Sequence, residues 1–277
     1  MKQNPIGIID SGVGGLTVVK EIIRQLPNES IVYIGDTARC PYGSRPKEEI
    51  MKFTIEMTKY LERFQIKMLI IACNTATAVA LQHLRKKLSI PVLGVVHPGA
   101  RAAIKGTSKN RIGVIGTEVT IGSKAYETAL QSIQKRTIVY GLACPEFVPL
   151  VESGQWSGPI AEKTVENSLA PLKKKDIDTL ILGCTHYPLL EPLIRDYLGD
   201  DVQIISSGEE TAREASVILD HTKSLNDTNI KPKYRFFTTG CVSSFKEIAR
   251  SWLCLENIDV QSINLSNVQV NREVSSK

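Results

Sequence analysis

The stretch Met68-Leu-Ile-Ile-Ala-Cys73-Asn-Thr-Ala-Thr77 is an apolar run that ends abruptly in a thiol, an amide and a hydroxyl. A second stretch, Thr179-Leu-Ile-Leu-Gly-Cys184-Thr-His-Tyr-Pro188, has the same form, and its cysteine lies 111 positions after Cys73. Short apolar runs bounded by polar turn residues are typical of buried strands in a parallel sheet. The two stretches therefore predict equivalent strands in two similar halves of the chain, each ending at a cysteine.

The elements around the first stretch alternate between strands and helices. Strands are predicted at residues 6–9, 31–34, 69–72 and 91–96, with a glycine-rich turn at 10–15 and a turn-rich loop at 35–46. Apolar residues at helical spacing follow the turn and the loop, from Leu16 to Leu26 and from Ile50 to Phe64. This alternation predicts βαβ units, and therefore an α/β fold with a parallel sheet.

The pattern restarts near residue 112. Strands predicted at 112–115, 138–140, 179–183 and 202–205 follow their first-half counterparts at offsets of 106, 107 and then 111. The second strand of each half precedes a Cys-Pro pair, Cys40-Pro41 and Cys144-Pro145. A near-constant offset indicates internal duplication. We predict two duplicated parallel-sheet α/β domains related by pseudo-twofold symmetry, with the active site in the cleft between them.

The chain continues beyond the repeat. After residue 206, a helix, an aromatic strand around Phe236, a second helix and a strand at 258–263 have no counterpart, and we expect them to return to the first unit. The first predicted domain is then residues 1–97 plus 208–277 and carries Cys73, and the second is residues 98–207 and carries Cys184. The last dozen residues have little apolar periodicity and are expected to fray.

The composition is that of a soluble globular protein. The 277 residues suit two domains, and 42% are hydrophobic and 23% charged. The net charge of +5 is mild, and the basic clusters at 85–87 and 173–175 fit the last turns of helices, so we expect no nucleic-acid partner. No segment has the apolar length of a membrane span, and no signal-peptide core precedes Asp10. We expect a cytoplasmic protein with no membrane partner.

The cysteines stand at 40, 73, 144, 184, 241 and 254, and no two are spaced as a CxxC motif. This spacing indicates neither a zinc ribbon nor a redox dithiol, so in a reducing compartment the thiols are free. A lone cysteine at the end of a strand is usually a small buried hydrophobe. Matched positions in a duplicated fold favour chemistry for Cys73 and Cys184, and we expect the other four to be structural.

Ligands bind beyond the carboxyl ends of the strands in parallel α/β sheets. The glycine-rich turn Asp10-Ser-Gly-Val-Gly-Gly15 resembles a dinucleotide fingerprint, but Thr17 stands where its third glycine belongs. Asp10 would also place a negative charge where a pyrophosphate needs room. A tight turn from a strand into a helix explains these glycines better than a nucleotide site does.

Two cysteines on opposite sides of one tetrahedral carbon form a chemical unit. A thiolate on one side removes a proton, and a thiol on the other returns one to the opposite face, which inverts the stereocentre. Asp10 beside one thiol, and His186 or Glu152 beside the other, would hold or relay these protons. Donors for the carbanion's carboxylate are available at Ser11, Asn74, Thr75, Thr117, Thr120, Thr185 and the amides near Tyr42 and Gly43.

These residues resemble those of the cofactor-independent aspartate/glutamate racemase superfamily, in its glutamate racemase branch. Five motifs carry the resemblance: Ile-Asp-Ser-Gly-Val-Gly-Gly-Leu-Thr (9–17), Gly-Asp-Thr-Ala-Arg-Cys-Pro-Tyr-Gly (35–43), Ala-Cys-Asn-Thr-Ala-Thr (72–77), Val-Glu-Ser-Gly (151–154) and Leu-Gly-Cys-Thr-His-Tyr-Pro (182–188). They span both halves in family order, through about residue 215, and they are highly specific together. The C-terminal part carries no motif.

The resemblance implies interconversion of L- and D-glutamate, supplying D-glutamate for peptidoglycan, with no pyridoxal phosphate or metal and commonly in a homodimer. Cys73 and Cys184 are then the catalytic acid/bases, Asp10 and His186 assist their thiols, and Glu152 lies near the second. The implied substrate contacts are Asp10, Ser11, Pro41, Tyr42, Gly43, Asn74, Thr75, Thr117, Thr120, Thr185 and His186.

Three alternatives remain at this point. An aspartate racemase has the same architecture and paired thiols, although the Cys-Asn-Thr and Cys-Thr-His flanks resemble the glutamate branch. A decarboxylase of the superfamily needs only one of the two thiols. A two-lobed solute-binding protein that closes on glutamate needs neither thiol.

Overall fold

The computed structural model describes residues 2–228 and 230–265, and the fraying expected of the last dozen residues lies outside them. The strands form two separate sheets, and their pairings are parallel. In chain order the strands are β1 Ile6–Asp10, β2 Ile31–Gly35, β3 Met68–Ile71, β4 Val92–Gly94, β5 Arg111–Gly116, β6 Ile138–Ala143, β7 Thr179–Gly183, β8 Gln203–Ser206, β9 Tyr234–Thr238 and β10 Asp259–Ser262.

The two sheets share one strand order. The first sheet runs β10-β9-β2-β1-β3-β4 and the second runs β6-β5-β7-β8. Strands β5 to β8 of the second sheet therefore occupy the same relative places as β1 to β4 of the first. Ile6 opens the pairing of β1 with β3 opposite Met68, and Ile112 opens the pairing of β5 with β7 opposite Thr179. The predicted α/β fold, with two equivalent parallel sheets, is therefore confirmed.

The residues beyond the repeat extend the first sheet. β9 pairs with β2, with Tyr234 opposite Ile31, and β10 pairs with β9. The second sheet is thus formed entirely by chain lying between β4 and β9. Domain boundaries at residues 97 and 207 stay a prediction.

The helices surround both sheets and bury apolar faces against them. The inward face of the first helix, for example, consists of Leu16, Val18, Val19 and Ile22. In chain order the helices are α1 Leu16–Gln25, α2 Lys47–Glu62, α3 Asn74–Lys87, α4 Val96–Gly106, α5 Glu118–Gly122, α6 Ala125–Ile133, α7 Phe147–Glu152, α8 Pro159–Lys173, α9 Glu191–Leu198, α10 Ser207–His221 and α11 Val242–Leu253, with 3₁₀ turns at Thr37–Arg39 and Tyr187–Leu190. The basic cluster at 85–87 forms the last turn of α3, as expected, whereas the cluster at 173–175 begins at the last residue of α8 and continues beyond it. Among the described residues, no helix has the length and apolarity needed to cross a membrane.

The fourth strand of the first half is shorter than expected. The sequence predicts a strand at 91–96, whereas β4 ends at Gly94 and Val96 already begins α4. Val95 and Val96 are both buried, and a short apolar run has the same hydrophobic pattern in a buried strand and in a buried helix. The observed strand lacks one residue at the start of the predicted range and two at its end, and the sheet order is unchanged.

Candidate active site

A small cavity lies at the carboxyl ends of the strands, where loops of the two sheets meet. Cys73, two residues after the end of β3, and Cys184, directly after β7, both line it. Most of the predicted substrate contacts line it too. The other lining residues are Ser11, Cys40, Pro41, Tyr42, Gly43, Asn74, Thr75, Thr117, Val148, Thr185 and His186.

Asp10, Thr120 and Glu152 do not line the cavity, but each contacts a residue that does. Asp10 accepts a hydrogen bond from the Thr185 hydroxyl at 3.4 Å, and Glu152 binds His186. Thr120 lies 3.0 Å, hydroxyl to hydroxyl, from Thr117. The structure therefore brings all the predicted site residues together at one cavity or directly behind it.

Cys73 is positioned by the change from strand to helix. It follows β3 as the N-cap of α3, and its Sγ accepts a hydrogen bond from the Ala76 amide at 3.3 Å. An N-cap acceptor satisfies one of the amide groups that a helix leaves unpaired at its start. The thiol is thereby held at the positive end of the helix dipole while facing the cavity.

The surroundings of Cys73 favour the protonated thiol. Burial, and then the negative charge of Asp10, raise the pKa of Cys73 to about 12, although hydrogen bonds from Ala76 and Ser11 act in the opposite direction. Asp10 is itself fully buried, and that burial raises the pKa of its carboxyl. Its Oδ1 accepts the Gly12 amide at 3.0 Å, which anchors it within the glycine-rich turn.

Cys184 has a cationic neighbour instead. Its Sγ lies 3.7 Å from Nδ1 of His186, and Nε2 of the same ring lies 3.0 Å from Oε1 of Glu152. Burial alone would lower the pKa of His186, but hydrogen bonds and charges from Cys184 and Glu152 outweigh it and raise the pKa to about 10. At neutral pH the ring is therefore an imidazolium, with one N–H facing Cys184 Sγ and the other facing Glu152.

The pKa of Glu152 is lowered. Burial acts to raise it, but the hydrogen bond and charge of His186, together with the Cys40 S–H, outweigh that effect. The carboxylate is therefore ionised at neutral pH and supports the imidazolium. Cys184, His186 and Glu152 thus form a hydrogen-bonded chain with the imidazolium at its centre.

Hydroxyl groups from both halves meet on another wall of the cavity. The Thr75 hydroxyl, at the start of α3, lies 2.9 Å from that of Thr117 and 3.2 Å from that of Thr120. Thr117 caps α5, and its Oγ1 accepts the Thr120 amide. These groups provide rotatable donors and acceptors for a polar ligand.

The loop before α2 brings Pro41, Tyr42 and Gly43 to the cavity. The Tyr42 hydroxyl donates to Asp36, and this bond anchors the loop. A Cβ at Gly43 would lie 2.6 Å from Thr117 Cβ, so only glycine permits this close approach. The Gly43 carbonyl accepts the Val119 amide at 3.2 Å.

The structure adds two residues that the sequence did not place here. Cys40, expected to be structural, lines the cavity and its Sγ donates to Glu152 Oε1 at 3.1 Å. The buried Tyr126 hydroxyl accepts the Asn74 amide at 3.2 Å and lies 2.8 Å from Ser207 Oγ. The Cys-Pro pair was a signal for Cys40, but no sequence pattern distinguished Tyr126.

A metal site and a second cleft are the alternatives to this cavity in the part of the chain that the structure describes. No group of three or more His, Cys, Asp or Glu side chains there has an arrangement that could hold a metal ion. A larger, more open cleft is lined by Trp156 and Trp252 and by residues of α1, and neither cavity-lining thiol belongs to it. The chemistry therefore centres on the smaller cavity.

A family model described as Asp/Glu/Hydantoin racemase matches residues 6–215. The chain belongs to this family. A glutamate racemase from Listeria monocytogenes serotype 4a (strain HCC23) is 57% identical over 265 residues, which cover 96% of this chain and 99% of the relative.

Two solved structures of the family have the same fold throughout. The glutamate racemase isoform RacE1 from Bacillus anthracis gives a TM-score of 0.93 at 55% identity, covering 96% of this chain and 99% of that one. The glutamate racemase from Francisella tularensis subsp. tularensis SCHU S4, in complex with D-glutamate, gives 0.90 at 36% identity with the same coverage. The family resemblance inferred from the five motifs is therefore confirmed.

Proposed function

We propose that this protein is a glutamate racemase, an isomerase that interconverts L- and D-glutamate by a two-base mechanism without a cofactor. The observation that carries the proposal is the pair of thiols, Cys73 and Cys184, that line one cavity in opposite electrostatic surroundings. Membership of the racemase family, and the glutamate racemases among its members, support glutamate as the substrate.

The surroundings fit the proton transfers of the L-to-D direction. We assign the Cys184 thiolate, supported by the His186 imidazolium, to remove the proton from Cα, and the electron pair of the broken C–H bond stays on the substrate. The Cys73 S–H then gives its proton to the opposite face. Cys184 ends as a thiol and Cys73 as a thiolate, and the D-to-L direction uses them in the reverse order.

Two carboxylates behind the cavity have different roles in this scheme. Burial, together with the charge of Asp10, keeps Cys73 protonated until the carbanion forms, because the pKa of that thiol lies well above neutral. Glu152 keeps His186 charged, and the imidazolium in turn stabilises a thiolate at Cys184. The site thus presents one acid and one base at the same time.

The remaining polar groups hold the substrate and its carbanion. We assign this role to the side chains of Ser11, Asn74, Thr75, Thr117 and Thr185, with Thr120 behind them and the loop Pro41-Tyr42-Gly43 beside them. Donors in a closed and largely buried site stabilise developing charge more than donors in water do. Glutamate has two carboxylates, and both halves of the protein contribute hydroxyl groups to the cavity.

The cellular setting follows from the resemblance. We propose a cytoplasmic homodimer that supplies D-glutamate for peptidoglycan. Analytical ultracentrifugation tests the dimer, and a sedimentation coefficient of a monomer at micromolar concentration would contradict it.

Deuterium exchange tests the activity directly. Either enantiomer of glutamate is incubated with the protein in deuterium oxide without pyridoxal phosphate, and Cα exchange is followed by proton NMR beside optical rotation. We expect Cα exchange and loss of optical rotation with both enantiomers of glutamate. When aspartate replaces glutamate, we expect both changes to be much slower. Exchange that needs an added cofactor would overturn the two-thiol mechanism, and faster turnover of aspartate would overturn the substrate.

A further inference from the structure

A third thiol lies beside the two that line the cavity as acid and base. Cys40 Sγ is 3.1 Å from Glu152 Oε1, the same oxygen that lies 3.0 Å from Nε2 of His186. Nδ1 of His186 in turn lies 3.7 Å from Cys184 Sγ. Cys40 is therefore the outer end of a hydrogen-bonded chain that leads to Cys184.

The sulfur of Cys40 is held from the side of the first sheet. A Cβ at Gly12 would lie 3.0 Å from Cys40 Sγ, so the sulfur packs against the turn that carries Asp10. The loop itself is anchored because the Arg39 guanidinium binds Asp36 Oδ2 at 2.7 Å and also binds Glu56. Cys40 thus has a fixed place relative to the first sheet.

Glu152 is less constrained than the sulfur that contacts it. It is the last residue of α7, on the second-sheet side, and its side chain is 34% exposed. A carboxylate with that exposure has water as an alternative partner. The S–H of Cys40 restricts it to the orientation that faces His186.

The chemistry of Cys40 fits a donor and not a base. Burial and the negative charge of Glu152 raise the pKa of Cys40 well above its ordinary value, so the group stays a neutral thiol. A neutral S–H donates a single hydrogen bond, and here it donates to a carboxylate.

We propose that Cys40 is a positioning residue for the Cys184 half of the reaction, holding Glu152 against His186 across the boundary between the two sheets. The proposal rests on the proposed racemase function. Cys40 acts through Glu152 and His186 and exchanges no proton with the substrate.

The duplication supplies a matched control. Cys144 occupies the equivalent Cys-Pro pair of the second half and is fully buried, and its Sγ donates to the Leu142 carbonyl at 4.0 Å, not to Glu152. Cys144→Ala therefore removes a buried sulfur without removing a donor to Glu152.

Steady-state kinetics give the first readout. Cys40→Ala should lower kcat/KM about tenfold, because hydrogen bonds to charged groups are among the stronger ones. The loss must be equal in both directions, since the equilibrium constant of a racemisation is one. Cys40→Ser, which keeps a donor, should recover most of the loss, and Cys144→Ala should stay close to wild type. Cys40→Val, which fills the space without a donor, should behave like Cys40→Ala.

Titration of His186 by NMR gives a readout that needs no activity. Cys184, Glu152 and Asp10 are the titratable groups that face this ring. In Cys40→Ala and Cys40→Val the His186 pKa should fall below its wild-type value, because Glu152 turns to water, and Cys40→Ser should restore it. If the Cys40 S–H only weakened the negative charge on Glu152 without orienting the carboxylate, removing Cys40 would instead raise the His186 pKa.

An unchanged or raised His186 pKa, or unchanged kcat/KM in both donorless variants, would overturn the proposal while the racemase function stands. A wild-type protein that fails to racemise glutamate would overturn the function, and the titration would still decide whether Cys40 positions Glu152.

Discussion

The surroundings of Cys73 and Cys184 differ, although the two thiols follow equivalent strands of the two sheets. Each thiol follows a central strand, β3 or β7, in sheets of equal strand order. Cys73 caps a helix and has the buried carboxyl of Asp10 nearby, whereas Cys184 has the imidazolium of His186. The repeated strand order puts the two thiols in matched positions, and the groups around each thiol make them different. In the proposed mechanism, this difference makes Cys73 the acid and Cys184 the base of the L-to-D direction.

Replacing either thiol should have the largest effect. Cys73→Ser and Cys184→Ser should each lower racemisation by at least about 10³-fold, because general acid–base groups commonly contribute 10²–10⁴-fold. Each variant should still catalyse elimination from one enantiomer of a glutamate with a leaving group at Cβ, since that reaction needs only one base. We expect Cys73→Ser to act on the L form and Cys184→Ser on the D form, measured by release of the leaving group.

The exposed Cys254→Ser is the control for these thiol variants and should keep full activity. Wild-type racemisation by either single variant would show that its cysteine is wrongly assigned. Elimination from both enantiomers by one variant would remove the distinction between the two thiols.

Gly14→Ala tests how closely the two halves approach each other. A Cβ at Gly14 would lie 2.4 Å from Thr185 Oγ1 and 2.6 Å from His186 Nδ1. The added methyl group would therefore push the segment that carries Cys184 away from the turn that carries Asp10. We expect kcat/KM to fall about 100-fold, because small displacements of reacting groups are costly.

Gly122→Ala is the matched control for Gly14→Ala, since a Cβ there meets nothing within 4 Å. Equal activity of the two alanine variants would show that the halves are not held at this contact.

The two assisting residues should affect stability with opposite signs. The pKa of His186 is raised from 6.5 to about 10, so its stabilisation is complete below about pH 6.5 and is lost as pH rises toward 10. His186→Asn should lower the free energy of unfolding at pH 6.5 by on the order of 2 kcal/mol, less at higher pH.

Asp10 works in the other direction. The pKa of the Asp10 carboxyl is raised above 3.8, so the folded state binds this proton more tightly than the unfolded state does. The folded state therefore loses stability as the pH rises from about 3.8 through the raised pKa. Asp10→Asn should therefore raise the free energy of unfolding near neutral pH while lowering activity, as measured by urea titration beside kinetics. Destabilisation by Asp10→Asn at neutral pH would contradict this assignment.

Thr17→Val should have the smallest effect. The Thr17 hydroxyl lies 2.9 Å from the Gly14 carbonyl and 3.1 Å from the Thr185 carbonyl, so its one proton is shared between its own turn and the Cys184 side. We expect kcat/KM to fall about threefold, in line with the modest net contribution of such bonds. Thr164→Val, whose hydroxyl binds only Ile160 within α8, is the control and should match wild type.

Most of the fold was predictable because it repeats. Each strand of the first half had a second-half counterpart, so an uncertain apolar run was supported by its equivalent. The end of β4 was not predictable, since Val95 and Val96 are buried in either geometry. α4 begins there with Pro98 and Gly99 in its first turns, which are weak helix signals.

The candidate site, like the fold, was predictable only in part. Cys73, Cys184 and His186 stand in recognisable motifs, and the sequence predicted them. Cys40 and Tyr126 depend on contacts with residues far away in sequence, Glu152 and Asn74, and a single sequence does not record such contacts. The sequence predicted the candidate thiols and the groups expected to assist them, and it missed two residues that contact the predicted ones from far away in the chain.

The pairing of β2 with β9 affects the order in which the two halves are completed during synthesis. Ile31 emerges from the ribosome long before Tyr234, its partner in the sheet, so one edge of β2 stays unpaired while the intervening chain is made. The strands β5 to β8 follow one another without interruption and need no later segment. We expect the second sheet to fold first, while the open edge of β2 stays vulnerable to aggregation until the last strands arrive.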